Sequence, residues 1–385
     1  KRILMKKKVF TSLGLMTGTS IDGVDLSIIK SDGIDEFEPI LDDYFEFDKK
    51  IQKKIEKLRE ELSTLDDLER KKKDLDELER EFTLFIGEIV SKFTNKTDQE
   101  IDLIGFHGQT IFHDSKKKTS IQLGNGKLLS SLTKKIVINN FRKKDLSNGG
   151  EGAPLTPIYH KVISNIIYKN YSLEYPINII NIGGITNITK ILNDDQNIEK
   201  NIFAFDIGPG NCLIDGWIKK NSQKKFDHNG EVAKSGKIDE LTLNQAIDNF
   251  GEGSFDKSLD IKNFDFSFVK GLSVEDGCAT ITKFTAYLIA EGINFINRLD
   301  NKSSRYNLIS GGGRKNDYLI NCIKENLSKE LILEKIDNYG FDGDYIESQA
   351  FAYLAIRSYL NLPISFPNTT KCKKPTLGGE VNKNF

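Results

Sequence analysis

The sequence predicts an α/β protein with two lobes. The chain has 385 residues, more than a single hydrophobic core usually organises, so we expect two cores. Five apolar stretches run directly into turns of glycine and other small residues. Buried strands that end in this way are typical of sheets whose ligands lie at the carboxyl edge. The five stretches are Val9–Met16, Ile101–Phe106, Asn178–Ile182, Ile202–Phe205 and Tyr306–Ile309.

Charge and cysteine content exclude several classes of function. The 55 basic and 56 acidic side chains leave a net charge of -1, which provides no overall attraction for nucleic acid or for an anionic membrane. No apolar run approaches the ~20 residues that a membrane span needs. The four cysteines form no CxxC pair and have no histidine at zinc-ligand spacing, which indicates reduced thiols in a cytoplasmic protein.

A highly charged stretch, Lys49–Phe93, differs from the rest of the chain. Leucine and phenylalanine recur there at near-helical intervals between Glu and Lys, which predicts two amphipathic helices joined near Ser63–Asp67 and packed on the sheet. A coiled-coil partner site is the alternative. Further helices are predicted at Gly210–Lys220, Leu241–Asn249, Val274–Arg298, Asp317–Leu327 and Tyr345–Leu360.

The Gly/Pro-rich segment Asn148–Pro157 predicts a lobe boundary. We therefore expect an N-terminal α/β lobe at residues 1–150, with the charged helical insertion at residues 49–98. The C-terminal α/β lobe then covers residues 151–385 and carries most of the nucleotide site. The last helix of this lobe can fold back to the cleft between the lobes.

The first glycine loop, Gly14–Asp25, has the composition of a phosphate-binding loop. Glycines let backbone N–H groups approach phosphate oxygens, hydroxyl side chains add donors, and carboxylates can hold Mg2+ directly or through water. The alternative is a β-hairpin with a glycine turn. The candidate nucleotide-binding residues are Gly18, Thr19, Ser20, Asp22, Gly23 and Asp25, of which Asp22 and Asp25 are the candidate metal ligands.

Three further glycine turns follow strands in the second half of the chain. In the central one, a strand delivers Asp206 to its end before two glycines bend the backbone, which suits a γ-phosphate and its metal. The alternatives are a turn-capping aspartate and tight strand-to-helix connections. The candidate nucleotide-binding residues here are Gly183, Gly208, Gly210, Asn211, Gly311, Gly312 and Gly313.

Two phosphate loops followed by a glycine-rich nucleoside loop resemble the two-lobed actin-like ATPase fold, which contains ribonuclease H-like domains. That resemblance implies that ATP binds in the cleft between the lobes. Ordered motifs then resemble those of the anhydro-N-acetylmuramic acid kinase family. These motifs are Met16–Asp25, Gly105–Thr110, Asn140–Asp145, Gly149–Leu155, Asn181–Asn187, Phe205–Asn211, Ser310–Arg314, Glu347–Ala355 and Gly378–Gly379. The chain departs from the family pattern mainly at Lys49–Asp98 and Gly253–Phe268.

The family resemblance implies a reaction in which ATP and water convert 1,6-anhydro-N-acetylmuramic acid to N-acetylmuramic acid 6-phosphate and ADP, as part of cell-wall peptidoglycan recycling. Asp206 is then the candidate base that activates water, and Glu347 the candidate that holds the sugar or assists the water. His107, Gln109, Arg142 and Asp145 are candidate substrate-binding residues, with Arg142 a clamp for the lactyl carboxylate that Asp145 orients.

The resemblance also implies a homodimer that uses ATP and Mg2+ on a small anhydro-amino-sugar. Two alternatives stay open at this point. One is another kinase or phosphohydrolase of the same fold with a different substrate. The other is a catalytically idle nucleotide-binding scaffold that docks partners through Lys49–Phe93.

Overall fold

The computed structural model describes residues 8–195, 197–250, 258–299 and 302–385. The chain forms two compact units. Unit 1 comprises the residues up to Ile163 together with Tyr345–Phe385, and unit 2 comprises Ser164–Asp344. The expected boundary at residues 150 and 151 therefore falls inside unit 1, and the last part of the chain returns to that unit.

The strands, in chain order, are β1 (Phe10–Met16), β2 (Gly23–Ser31), β3 (Phe37–Glu46), β4 (Leu103–Phe106), β5 (Gln109–Asp114), β6 (Thr119–Leu123), β7 (Ile136–Asn139), β8 (Ile177–Ile182), β9 (Ile185–Ile191), β10 (Ile202–Pro209), β11 (Tyr306–Ser310), β12 (Ile332–Lys335) and β13 (Glu380–Asn382). All five predicted strands are confirmed, with ends shifted by at most a few residues.

The helices, in chain order, are α1 (Lys49–Glu61), α2 (Leu65–Arg70), α3 (Lys72–Thr94), α4 (Gly126–Thr133), α5 (Lys143–Ser147), α6 (Pro157–Tyr171), α7 (Ile198–Asn201), α8 (Cys212–Asn221), α9 (Glu231–Ser235), α10 (Glu240–Phe250), α11 (Val274–Arg298), α12 (Asp317–Glu325), α13 (Ile346–Tyr359) and α14 (Pro367–Thr370). In the described ranges, no helix is long and apolar enough to cross a membrane.

The two main sheets share one topology. In unit 1 the strand order is β13-β7-β4-β1-β2-β3, and in unit 2 it is β10-β9-β8-β11-β12. Each sheet starts with three antiparallel strands, β1-β2-β3 or β8-β9-β10, and adds two parallel strands on the other side of the first. This order, 3-2-1-4-5 with an antiparallel second strand, is the ribonuclease H-like arrangement of the actin-like fold. The predicted fold class is therefore confirmed.

The charged stretch folds as helices that pack on the sheet of unit 1. Ile55 of α1 and Phe82 of α3 are fully buried and join one core with Leu13 of β1 and Val24 of β2. Between α1 and α3 lies the short helix α2, which starts at a capping box formed by Thr64 and Asp67. The apolar stripe of these helices thus contributes to the core of unit 1, as predicted.

Helix α13 closes the other face of the same sheet. A Cβ atom on Gly14 would lie 1.9 Å from the carbonyl oxygen of Ser348, so strand β1 and helix α13 touch through their backbones. Nearly every side chain of α13 from Ser348 to Ser358 is buried. Helix α13 covers β1, β2 and β4, and the C-terminal part of the chain therefore belongs to unit 1.

Candidate functional site

The first group of predicted residues lies at one edge of the sheet in unit 1. Because β1, β4 and β7 are parallel, their carboxyl ends meet at the same edge. Thr17 follows β1, and its Oγ1 donates to the carbonyl oxygen of Gly108 at 3.0 Å. Gln109 lies just beyond β4, and its Nε2 donates to the carbonyl oxygen of Gly18 at 3.1 Å. The structure thus brings together the first glycine loop and the His107–Gln109 turn.

The first glycine loop turns sharply between β1 and β2. Ile21 is buried and has a φ of 55°, a conformation that is rare for a β-branched residue. Its backbone N–H donates to the carbonyl oxygen of Gly18 at 3.4 Å, which closes the turn. Thr19 and Ser20 at the tip are exposed, and the Ser20 hydroxyl donates to Oδ1 of Asp22 at 2.6 Å. The loop therefore presents hydroxyls and a carboxylate to solvent.

The two candidate metal ligands, Asp22 and Asp25, both lie near Tyr44 of β3. Asp22 is exposed at the start of β2, and Asp25 is half-buried on that strand in register with Tyr44 of β3. Burial raises the pKa of the Tyr44 hydroxyl, and the charges of Asp22, Glu46 and Asp25 raise it further. The negative charges of Asp22 and Asp25 therefore both affect the pKa of the same hydroxyl. No cluster of three or more metal-ligating side chains occurs in the described part of the chain.

His107 and Arg142 form a direct pair. The imidazole is buried, its Nδ1 lies 2.7 Å from the carbonyl oxygen of Gly108, and its Nε2 lies 3.2 Å from Nε and 3.0 Å from Nη2 of Arg142. A carbonyl accepts and a guanidinium donates, so the ring is neutral with its proton on Nδ1. Burial first, and then the charge of Arg142, hold the pKa of His107 well below its ordinary value. The pair is therefore a fixed neutral imidazole beside a permanent cation.

Asp145 has a different set of partners from the one expected. Its carboxylate accepts from the hydroxyls of Ser365 at 2.5 Å and Thr370 at 2.6 Å, and from the backbone N–H of Gly152 at 2.7 Å. Arg142 donates instead to the carbonyl oxygen of Gly152 at 3.0 Å. Asp145 therefore acts on Arg142 indirectly, by fixing the loop that supplies that carbonyl, and its predicted contact with substrate stays a prediction.

Glu347 lies half-buried in the first turn of α13. The next two residues anchor this turn. Oγ of Ser348 lies 2.6 Å from Oγ of Ser27, and Oε1 of Gln349 accepts from the Tyr159 hydroxyl at 2.7 Å. The first turn of α13 is thus rigid, and Glu347 sits at a helix N-terminus, where the helix dipole favours a negative charge.

The second group of predicted residues lies at the corresponding edge of the sheet in unit 2. Strands β8, β10 and β11 run in the same direction, so the turns after them meet. A Cβ atom on Gly311 would lie 2.4 Å from Oδ1 of Asn181, and one on Gly313 would lie 3.1 Å from Oδ1 of Asn211. The three predicted glycine turns therefore form one continuous surface within unit 2.

Asp206 lies on the edge strand β10, directly before one of these turns. It is 6% exposed, and a β-bulge follows it in β10, between Asp206 and Gly208. Bulges are common next to active sites because they redirect side chains. Oδ2 of Asp206 accepts from the backbone N–H of Leu259 at 2.9 Å and lies 3.3 Å from Oγ of Ser258. The sequence did not indicate Ser258 or Leu259, which lie in the stretch Gly253–Phe268 that departs from the family pattern.

The backbone N–H groups of Gly210 and Asn211, in the turn after Asp206, already have hydrogen-bond acceptors within unit 2. Gly210 N–H donates to the carbonyl oxygen of Gly184 at 2.9 Å, and Asn211 N–H donates to that of Gly183 at 2.8 Å. The turn after β10 is thus tied to the turn after β8. A Cβ atom on Gly210 would lie 2.2 Å from the Gly183 carbonyl oxygen, so only glycine permits this approach.

Two residues after the third glycine turn are held inside unit 2. Arg314 is buried, its Nε and Nη2 donate to Asp337 at 2.8 Å each, and its Nη1 donates to Asp344 at 2.6 Å. Asn316 caps helix α12, because its Oδ1 accepts from the backbone N–H of Leu319 at 2.9 Å. Arg314 therefore braces the glycine turn from behind. Asn187, which faces Asp206 across the β9–β10 pairing, has a buried Oδ1 for which the described residues offer no hydrogen-bond partner.

Comparisons with a family model and with known proteins identify the same family, and they cover nearly the whole chain. A family model described as "Anhydro-N-acetylmuramic acid kinase" matches residues 10–383. The protein of that name from Pelagibacter ubique (strain HTCC1062) is 49% identical over 382 residues, covering 98% of this chain and 100% of the relative. The one from Brucella canis is 34% identical over 373 residues, covering 96% and 97%, and the one from Methylobacterium nodulans is 34% identical over 385 residues, covering 96% and 98%.

Two solved structures are remotely similar to this chain. The activator of the 2-hydroxyisocaproyl-CoA dehydratase from Clostridium difficile with bound ADPNP aligns at 12% identity and a TM-score of 0.42, over 91% of this chain and 96% of that one. The hexokinase from Schistosoma mansoni complexed with glucose aligns at 10% identity and a TM-score of 0.40, over 90% and 85%. The strand order of the two sheets therefore identifies the fold, and these two structural similarities do not.

Proposed function

Because the chain belongs to the anhydro-N-acetylmuramic acid kinase family, we propose that it performs the reaction for which that family is named, with Asp206 as the catalytic base. The protein is an enzyme, a kinase that acts on a small sugar with ATP as phosphoryl donor. The product is N-acetylmuramic acid 6-phosphate. The position of Asp206, buried at a β-bulge directly before a glycine turn that is hydrogen-bonded to the turn after β8, is the observation that carries the proposal.

The proposed reaction couples a hydrolysis to a phosphoryl transfer. Asp206 takes a proton from water while the water oxygen forms a bond to C1 of the sugar. The C1–O6 bond of the anhydro bridge breaks, and O6 takes the γ-phosphoryl group as the bond between that phosphorus and ADP breaks. The hydrogen bonds from Leu259 and Ser258 to Oδ2 fix the carboxylate, which supports a positioned base.

The proposed nucleotide contacts come from each unit separately. In unit 1 the loop Gly18–Asp25 offers exposed hydroxyls at Thr19 and Ser20 beside the carboxylate of Asp22. In unit 2 the turns at Gly183, Gly208–Asn211 and Gly311–Gly313 form a glycine-rich surface with few side chains. Such a surface permits a flat ligand to lie against the backbone.

We also propose that Asp22 and Asp25 hold Mg2+. Two carboxylates whose charges both reach Tyr44, one exposed and one half-buried, fit an ion that keeps several waters. When bound, Mg2+ neutralises charge on the phosphates during transfer. Asp22→Asn should raise the Mg2+ concentration for half-maximal activity by about 10-fold. Glu38→Gln, on an exposed position of the neighbouring β3, is the matched control, and an unchanged requirement in Asp22→Asn would place the metal elsewhere.

On the sugar side, the proposed contacts lie in unit 1. Arg142 carries a permanent charge and a planar donor fork beside neutral His107, which suits the lactyl carboxylate of the substrate. Glu347 on the anchored first turn of α13 is the proposed second carboxylate, which holds a sugar hydroxyl or assists the water. The homodimeric state and the cytoplasmic location implied by the family resemblance also belong to the proposal, and light scattering of the purified protein tests the first.

Labelled water tests the reaction directly. In water enriched in oxygen-18, with ATP and anhydro-N-acetylmuramic acid, the label should appear at C1 of the sugar product and not in phosphate. Label in inorganic phosphate instead would show hydrolysis of ATP. A parallel ADP-release assay with anhydro-sugars and free hexoses separates this kinase from another sugar kinase of the same fold. Absence of ADP release with every sugar would leave the nucleotide-binding scaffold.

A further inference from the structure

Two side chains hold the first glycine loop of unit 1 by its carbonyl oxygens. Nε2 of Gln109, just beyond β4, donates to the carbonyl oxygen of Gly18 at 3.1 Å. Nη1 of Arg59, in the last turn of α1, donates to the carbonyl oxygen of Thr19 at 2.6 Å. Two consecutive peptide groups are therefore fixed from outside the loop, by residues far away in sequence.

Fixing a carbonyl also fixes the N–H group of the same peptide. A trans peptide is planar, and its C=O and N–H bonds point in opposite directions. The N–H groups of Thr19 and Ser20 are consequently turned away from Gln109 and Arg59. Neither has an acceptor within the residues that the structure describes. Two adjacent N–H groups without an internal partner are the donors that an anion-binding backbone nest provides.

The conformation of the loop is not one that its own residues favour. Ile21 is β-branched, yet its φ is 55°, a backbone conformation that strains a non-glycine residue. Its side chain is fully buried, so the core of unit 1 holds it in place. The hydrogen bonds from Gln109 to Gly18 and from Arg59 to Thr19 fix the backbone of the loop further. The loop is thus set in one shape before any ligand arrives.

The helix that carries Arg59 is itself rigidly placed. Ile51, Ile55 and Leu58 of α1 are buried in the core of unit 1, and Lys54 forms an ion pair with Glu81 of α3. Arg59 therefore projects from a fixed base and not from a mobile surface segment. This contact gives the charged helices, for which the sequence offered only a packing role or a docking role, a link to the first glycine loop.

We propose that Arg59 is a positioning residue for phosphate binding: by holding the Thr19 carbonyl it presents the Ser20 N–H group to a phosphate oxygen of the nucleotide, while Gln109 does the same for Thr19. The inference rests on the proposed function to the extent that this loop binds the phosphates of ATP. Arg59 acts through the backbone of the loop. Its removal should therefore affect phosphate recognition and leave both the fold and the recognition of adenosine intact.

The test compares three variants with the wild-type enzyme. Arg59→Met keeps the apolar stem and removes every donor, Arg59→Lys keeps one donor group, and Lys57→Met on the same helix is the control, since that side chain is 77% exposed. In Arg59→Met, kcat/KM for ATP should fall by about 10- to 100-fold, the scale on which fixed backbone donors contribute. KM for the sugar should stay within about twofold of wild type because those contacts are unchanged. Arg59→Lys should recover most of the loss, and the thermal midpoint of Arg59→Met should match that of Lys57→Met.

Calorimetry supplies a second readout that does not depend on turnover. Arg59→Met should bind a non-hydrolysable ATP analogue with Mg2+ more weakly than wild type and should bind adenosine equally well. Equal affinity of the wild type and Arg59→Met for the analogue would overturn the inference, as would a loss for adenosine of the same size. A midpoint well below that of Lys57→Met would overturn it too, in favour of a purely structural Arg59. If the wild type shows no turnover at all, the proposed function fails, and the calorimetric comparison alone decides on Arg59.

Discussion

The imidazole of His107 accepts hydrogen bonds on Nε2 from two nitrogens of Arg142, at 3.2 Å from Nε and 3.0 Å from Nη2. A protonated imidazole has no lone pair with which to accept them. The pair therefore persists only while His107 is neutral. Burial favours the same state, and so does the positive charge of Arg142.

His107 should consequently titrate well below the pH range of an ordinary histidine. Its pKa in the folded state is lowered, whereas in the unfolded chain it is about 6.5. Below pH 6.5 the unfolded chain therefore binds a proton that the folded protein does not, and stability falls as the pH falls. Nitrogen-15 NMR is practicable because the chain has 4 histidines. The His107 signals should be those of a neutral ring protonated on Nδ1. A titration midpoint of His107 near 6.5 would contradict the assigned pair.

Arg142→Met should weaken binding of the sugar. A charge-assisted hydrogen bond contributes about 1.5–3 kcal/mol, so we expect KM for anhydro-N-acetylmuramic acid to rise by roughly 10- to 150-fold. Arg142→Lys should recover little, since an ammonium lacks the planar fork. Steady-state kinetics with the anhydro-sugar that lacks the lactyl group provides the control. The clamp assignment predicts a much smaller effect of Arg142→Met on that substrate, and an equal effect on both would refute it.

Asp206→Asn should abolish nearly all turnover. The amide keeps the shape of the side chain but cannot accept the proton of water, and loss of a general base lowers kcat by about 100- to 10,000-fold. ATP binding measured by calorimetry should remain within about threefold of wild type, because the exchange leaves the backbone turns in place. Asp248→Asn on α10 is the matched control at an exposed position of unit 2. Wild-type activity in the Asp206 variant would remove Asp206 from its proposed role.

Substitutions at two neighbouring glycines of the third turn distinguish an effect on stability from an effect on ligand binding. A Cβ atom on Gly313 would lie 2.2 Å from Cγ2 of the buried Ile182, whereas one on Gly312 would meet nothing closer than Nδ2 of Asn211 at 3.8 Å. Gly313→Ala should lower the thermal midpoint by roughly 2–12 °C, since overpacking costs about 1–3 kcal/mol. Gly312→Ala should leave the midpoint unchanged.

The same pair of variants reports on the nucleotide. If this turn touches the nucleoside, Gly312→Ala should weaken ATP binding without any loss of stability, because its methyl group projects into the space that the ligand fills. Calorimetric titration with ATP measures the effect. Unchanged affinity in Gly312→Ala would move the nucleoside contact away from Gly312.

The strands that carry the site were predictable because each one combines an apolar run with a glycine turn. Val274–Arg298 was predicted to its exact ends, since an N-capping Ser273 and a long amphipathic pattern mark it clearly. The other strands, β2 and β3 among them, were not predicted. Strand β3 has no buried residue, so its sequence lacks the apolar pattern that identifies a strand.

What the sequence did not reveal was the set of partners around each candidate residue. Arg314 ends the family motif Ser310–Arg314, yet three aspartates more than twenty residues away surround it in unit 2. Asp145 was expected beside Arg142, yet it binds two hydroxyls supplied by the returning C-terminal segment. A motif identifies the residue types at a site, whereas long-range folding determines which of them face a ligand.

The division of unit 1 into two chain segments has a consequence for biosynthesis. On the ribosome, β1 and β4 emerge early, but the helix that covers them, α13, emerges only after the whole of unit 2. Unit 2 is continuous in sequence and can fold as soon as it is translated. The nascent unit 1 is therefore left with one sheet face uncovered until α13 has been translated, which exposes it to aggregation.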